Sequence, residues 1–300
     1  MTRRTLLQAP LAAMAASAAP PEARFVKSIC SVIFPDGARL PECFAQAKAA
    51  GFDAMELSIG RDVRLETGAD EAGRIADAAH RAGIQIATLW VSEPLHANPL
   101  NADDPAARAH GVEAVRRSIA LASNLNCGAL LLYAVRLGEG PKFEYGSQDT
   151  WDRYSTELRK VIPDAERAKV LLNPENVWNK FLLSPLEMRA FVDQFHSPWV
   201  QTHFDTGNVM QYGYPEDWIL TLGSRIRRIH FKDYKLSDRY EQGRFVDLLQ
   251  GDVNWKGVMA ALVKVGYRGF ISPEIGYEPN QPDQLRKVSE ALDKILSLAA

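Results

Sequence analysis

Two rhythms of apolar and polar residues alternate along most of this chain. Short runs rich in Val, Ile, Leu and aromatic residues have the character of strands. They give way to longer stretches with apolar positions three and four apart, the period of an amphipathic helix. From Phe25 the pattern predicts a strand over 25–34, then a helix from Pro41 closed by Gly51. A strand over 53–59, a helix over 70–82 before Gly83 and a strand over 84–91 follow. After a loop rich in Pro and Asn, Asp104 caps a long helix that opens on Pro105 and ends near Asn126, and a strand follows over 129–135. The second half repeats the alternation. Helices are predicted over 150–168, from Ser184-Pro185 to before Pro198, and over 216–222, 255–265 and 283–297. The intervening strands are 170–174, 199–205, 225–232 and 269–274.

Eight strand–helix units with no linker between them imply a parallel sheet closed on itself. The expected architecture is a single-domain (β/α)8 TIM barrel over residues 23–300. An open doubly wound sheet would place a G-x-G-x-x-G turn after a strand, and no strand here is followed by one. The longest loops, 91–103, 134–149 and 233–254, all follow strands and so belong to the face where such barrels carry their sites.

Four of the predicted strands end on a metal-ligating residue type. V-L-L-N-P-E ends on Glu175, T-H-F-D on Asp205, R-R-I-H on His230 and F-I-S-P-E on Glu274. No local motif joins them; only barrel closure gathers them. Three carboxylates and one imidazole suit a divalent ion, most readily Mn2+, with Mg2+, Co2+ or Zn2+ as alternatives. Glu175 and Glu274 would flank a substrate held there. One could take a proton from the carbon next to a carbonyl and the other return one, through an enediolate. His203 shares the face of Asp205, one layer deeper, either touching substrate or supporting Asp205. Lys232 either polarises a substrate oxygen or pairs with an acid. Glu56, Trp90, Arg136, His96 and Asn208 complete the expected substrate-binding set.

The first 22 residues read differently. T-R-R-T-L-L followed by an alanine-rich stretch has the form of a cleavable twin-arginine-type signal, which implies export to the periplasm. No other run is long and apolar enough to span a membrane. A formal net charge of −2 offers no basic face for nucleic acid. Three scattered cysteines, Cys30, Cys43 and Cys127, form no disulfide framework. The expected partner is a small molecule, with a homo-oligomer compatible with the chain.

Four segments in order, S-P-W-V-Q-T-H-F-D-T-G-N, I-H-F-K-D, L-L-Q-G-D-V-N-W and G-Y-R-G-F-I-S-P-E, resemble the sugar-phosphate isomerase/epimerase superfamily with the xylose-isomerase-like barrel. The resemblance runs over roughly residues 25–298 and is nearest in motif to the pentulose-5-phosphate 3-epimerases. It implies metal binding by Glu175, Asp205, His230 and Glu274, with the two glutamates carrying protons. Many members of that group have His where this chain has Asn208. The export signal speaks for a free or oxidised sugar over a phosphorylated one. A keto-sugar or inosose dehydratase using the same metal site, and a non-catalytic carbohydrate-binding barrel, are the competing expectations.

Overall fold

The computed structural model describes residues 25–132, 135, 137–139, 141–237 and 243–299. The expected signal, residues 1–22, and Arg136 lie outside them. Within the described residues the chain runs β1 (Phe25–Cys30), α1 (Leu40–Ala49), β2 (Ala54–Ser58), α2 (Ala69–Arg81), β3 (Gln85–Trp90), α3 (Ser92–Ala97), α4 (Pro105–Asn124) and β4 (Ala129–Leu132). It continues through β5 (Gly138–Glu139), β6 (Lys142–Phe143), α5 (Ser147–Arg159), α6 (Ile162–Ala168), β7 (Leu171–Pro174), α7 (Pro185–Asp193), β8 (Thr202–Asp205) and α8 (Pro215–Leu222). The remainder is β9 (Ile226–Phe231), β10 (Asp233–Lys235), β11 (Arg244–Val246), α9 (Trp255–Lys264), β12 (Gly269–Pro273) and α10 (Gln284–Leu296).

Among the described residues, eight parallel strands form one sheet in the order β7-β4-β3-β2-β1-β12-β9-β8. Its two ends meet through the parallel bridges Leu172↔Val200 and Glu175↔His203, so the sheet is a nearly closed (β/α)8 barrel. Backbone bonds from Leu172 N–H to the Trp199 carbonyl (2.7 Å) and from Gln201 N–H to the Leu172 carbonyl (3.1 Å) seal this last seam. β2, β4, β7 and β8 are buried along their whole length, with helices over one face and the barrel interior on the other, so the polar residues they carry, Glu56, Asn173, His203 and Asp205 among them, are buried too.

Three predicted features differ in detail. The single helix expected over 150–168 is two, α5 and α6, because Pro163 has no N–H to give and starts a new first turn instead. The loops after β3, β4 and β9 carry α3, the β5–β6 hairpin and the β10–β11 hairpin, elements too short to show a period in the sequence. The first strand stops at Cys30, where a 3-10 turn over Ser31–Ile33 begins. Among the described residues no helix is long and apolar enough to cross a membrane.

Caps set several helix starts. The Asp104 carboxylate accepts from Ala106 N–H at the start of α4. Ser184 and Glu187 cap α7 reciprocally, each side chain accepting the other's backbone N–H at 3.2 Å. Ser184→Ala is expected to lower stability by about 1 kcal/mol, read as a lower urea midpoint, with Ser184→Asp keeping most of it.

Candidate metal centre

The parallel register fixes which side chains enter the barrel mouth. Cys30 pairs with Glu56, Asp205 with His230, and Ser272 with His230, so these side chains share the interior face. Glu175 and Glu274 stand just past their strands, the backbone N–H of each still bonded to the neighbouring strand, Glu175 to the Leu132 carbonyl and Glu274 to the Phe231 carbonyl. The outcome is convergence on one atom. His230 Nδ1 lies 2.9 Å from Glu175 Oε1, 2.9 Å from Glu274 Oε2 and 3.9 Å from Asp205 Oδ2. One ligand atom from each of the four residues lies within 4.8 Å of all the others.

This donor set fits a divalent cation. One imidazole nitrogen cannot satisfy three carboxylates with a single proton. Asp205 Oδ2, though buried, accepts no hydrogen bond among the described residues. Bonds of about 2.0–2.2 Å to a common ion would leave donor atoms about 3–4.4 Å apart, close to the 2.9, 2.9 and 3.9 Å that separate His230 Nδ1 from the three carboxylates.

The other face of the imidazole is fixed from behind. His230 Nε2 is 3.1 Å from Glu56 Oε2, which also accepts the indole N–H of Trp90 at 2.7 Å, while Ser272 donates its hydroxyl to Glu56 Oε1. Glu56 and Trp90, expected to line the pocket, therefore sit behind His230 and set its tilt, with the Trp90 ring 5.3 Å from the imidazole. Cys30 also reaches Glu56 and His230, and burial pushes its thiol well above the ordinary range, which keeps it protonated. His203 pairs in register with Arg228, two residues before His230 in β9. Its ring is 4.0 Å from that of His230, and neither of its nitrogens has a hydrogen-bond partner among the described residues.

The D-T-G-N turn after β8 docks two strand ends together. The Thr206 hydroxyl accepts Lys232 N–H at 3.2 Å and bonds the Lys232 carbonyl at 3.0 Å. Gly207 passes so close that a Cβ there would lie 2.6 Å from Lys232 Cβ. Asn208 gives its backbone N–H to Asp205 Oδ1 at 2.8 Å and its side-chain amide to the Asn176 carbonyl at 2.9 Å, so this amide braces the turn. Asn176 clamps both the N–H and the carbonyl of Asp205 at 2.8 and 2.9 Å. Lys232 pairs with acids, its ammonium 2.8 Å from Glu274 Oε2 and 3.3 Å from Asp205 Oδ2. His96 sits exposed on α3, its Nδ1 2.9 Å from the Ser92 carbonyl, and is not part of the cluster.

Sequence reasoning missed Asn176, Ser272 and Thr206. Each adjoins or nearly adjoins a strand-end acid or histidine, and a search for hydrogen-bonding residues next to those positions would have found all three.

The electrostatics follow from crowding. Burial pushes the Glu175 carboxyl up to about 7 against the pull of His230. Burial acts on Glu274 too, but Lys232 and His230 overcome it and hold that carboxyl at about 2. Burial raises Asp205 as well. His230 is buried, yet the carboxylates of Glu56, Glu175 and Glu274 drive its pKa well above the usual histidine value, whereas burial and the neighbouring His230 charge push His203 well below it.

The chain matches the model of the xylose isomerase-like TIM barrel family over residues 44–295. It belongs to that family. An L-ribulose-5-phosphate 3-epimerase, UlaE, of Salmonella paratyphi C (strain RKS4594) is 26% identical over 239 residues, covering 76% of this chain and 80% of the relative. A solved L-ribulose 3-epimerase superposes with a TM-score of 0.74 at 21% identity, covering 91% of this chain and 94% of its own. A D-psicose 3-epimerase solved in the presence of D-fructose gives a TM-score of 0.75 at 18% identity, covering 92% of this chain and all of its own (100%). Barrel closure and strand order here are thus those of the family.

Asp205→Asn is expected to abolish Mn2+ binding in calorimetry. Glu56→Gln, which loosens the imidazole without removing a facing donor, is expected to weaken it by about 10–100-fold. Glu175 and His230 hold protons in the metal-free protein that an ion must displace. Mn2+ affinity should therefore rise between about pH 6 and about pH 8, with protons released on binding.

Proposed function

We propose that this protein is a metal-dependent sugar epimerase, with Glu175, Asp205, His230 and Glu274 holding the ion and Mn2+ as the ion itself. The observation that carries the reading is the placement of two glutamates from β7 and β12, strands separated by two others around the barrel, on one imidazole nitrogen. The 3-epimerases named among its relatives support the same reaction class.

When bound, a divalent ion supplies positive charge to the oxygens of a sugar carbonyl and its neighbouring hydroxyl. The chain's own groups do the rest. One glutamate carboxylate accepts the proton from the carbon beside the carbonyl, and the other returns a proton to the opposite face, inverting that carbon. Glu56, through His230, holds the imidazole in one orientation. The Lys232 ammonium adds positive charge beside Glu274 and Asp205. The twin-arginine-type leader read in residues 1–22 supports export to the periplasm, and with it a free or oxidised sugar as substrate in place of a phosphorylated one.

The test is solvent-deuterium incorporation by the Mn2+-loaded protein over a panel of free ketoses, aldoses and 3-keto-sugars. The expected result is one deuteron at a single carbon next to the carbonyl, with inversion there. Glu175→Gln and Glu274→Gln should each cut turnover by about 10²–10⁴ with circular dichroism unchanged. Exchange surviving in both variants would overturn the assignment. Loss of a substituent from the next carbon would make the protein a dehydratase or lyase instead.

A further inference from the structure

One side of the barrel mouth carries an aromatic surface that the chemistry above leaves unused. Trp178 lies three residues beyond Glu175, and Phe245 lies in β11. Their rings stack with centroids 4.9 Å apart and planes inclined by 26°. Tyr234, fully buried in β10, meets both edge-on, at 5.9 Å from Trp178 and 5.3 Å from Phe245, and its hydroxyl accepts from the Gln211 side chain at 2.7 Å. The Trp178 indole N–H is already spent on the Asn208 carbonyl at 2.9 Å. What the pair presents to solvent is therefore carbon, and it presents a good deal: Trp178 stays 48% exposed and Phe245 41%.

This surface is continuous with the metal centre. Lys232 Nζ lies 5.4 Å from the centre of the Phe245 ring and 2.8 Å from Glu274 Oε2. Asn208, whose carbonyl holds Trp178, gives its N–H to Asp205. A sugar reacting between Glu175 and Glu274 would thus have the aromatic pair as its neighbour one side chain outward. Two large rings held out of the core forgo burial, and being already pinned they lose little freedom on binding a ligand. Their faces carry the negative side of the ring quadrupole. Such a surface accepts a neutral ring, the C–H face of a pyranose or a flat aryl group, and disfavours an anionic phosphate.

Building on the epimerase reading, we infer that Trp178 and Phe245 form a subsite for a neutral ring attached to the reacting sugar. The substrate class is then a glycoside, in preference to a free monosaccharide or a sugar phosphate.

The experiment compares matched keto-sugars as methyl glycoside, phenyl glycoside and phosphate ester, using the full Mn2+-loaded chain. Deuterium exchange and intrinsic tryptophan fluorescence are both read. The expected result is a KM at least about tenfold lower for the phenyl than for the methyl glycoside, with similar kcat. The phenyl compound should also give a saturable fluorescence change. Phe245→Ala should shrink both the KM ratio and the fluorescence change, and Phe245→Leu should shrink them less, with Mn2+ affinity reporting an intact site in each. Equal KM values for the two glycosides, preference for the phosphate ester, or a ratio that survives Phe245→Ala would overturn the subsite while leaving the epimerase reading in place. If no sugar exchanges at all, the epimerase reading fails, and fluorescence alone then decides the subsite: a saturable change lost in Phe245→Ala supports it, and no change overturns it. A dimer in light scattering that Phe245→Ala dissolves would assign the surface to a second copy of the chain and overturn the subsite.

Discussion

Three carboxylates from β7, β8 and β12 crowd one nitrogen of His230, and the molecule is built to keep them there. Negative charges buried this closely repel one another and lose solvation, a cost of several kcal/mol per ion unless something positive or protic answers it. In the metal-free protein the answers are the Lys232 ammonium, the proton on His230 and a raised Glu175. None of these leaves the cluster satisfied, since Asp205 Oδ2 still accepts no hydrogen bond among the described residues. The cluster is one that a divalent ion could complete, and the barrel around it holds that tension in place.

That tension is borne by backbone more than by side chains. Asn176 grips both peptide groups of Asp205, and the D-T-G-N turn locks the end of β8 onto Lys232. Gly207 is glycine because Lys232 runs past it too closely for a Cβ, although its own dihedrals require none of glycine's freedom. Glu56 occupies the far side of the imidazole, so the ring cannot turn away from the acids without losing a buried contact.

Much of the barrel was legible because most of its strands and helices are long enough to show a period, and because several helices have punctuation at one end: Asp104, the Ser184-Pro185 pair, Gly266. The four clustered residues were legible for a related reason, since each ends a strand and strand ends of a closed barrel must meet. What escaped was shorter than a period or depended on rotamers. The hairpins within the loops have only two or three residues per strand. Trp90 ends β3 as expected, but Glu56 sits in the middle of β2 and meets both Trp90 and His230, because sequence spacing gives the face and not the depth. His96 follows a strand, yet α3 turns it back onto its own helix.

The Asp233 carboxylate accepts four hydrogen bonds, from the backbone N–H groups of Tyr234, Gly251 and Val253 and from the indole of Trp255. It closes the base of the long excursion after β9 like a clasp, and Gly251 leaves room for it. The hairpin that carries Phe245 is tied at this point near His230 and again where Phe245 stacks on Trp178. Length changes in this excursion that spare both ties can therefore accumulate without disturbing the His230 end of β9, giving evolution a replaceable fingertip on an unaltered hand.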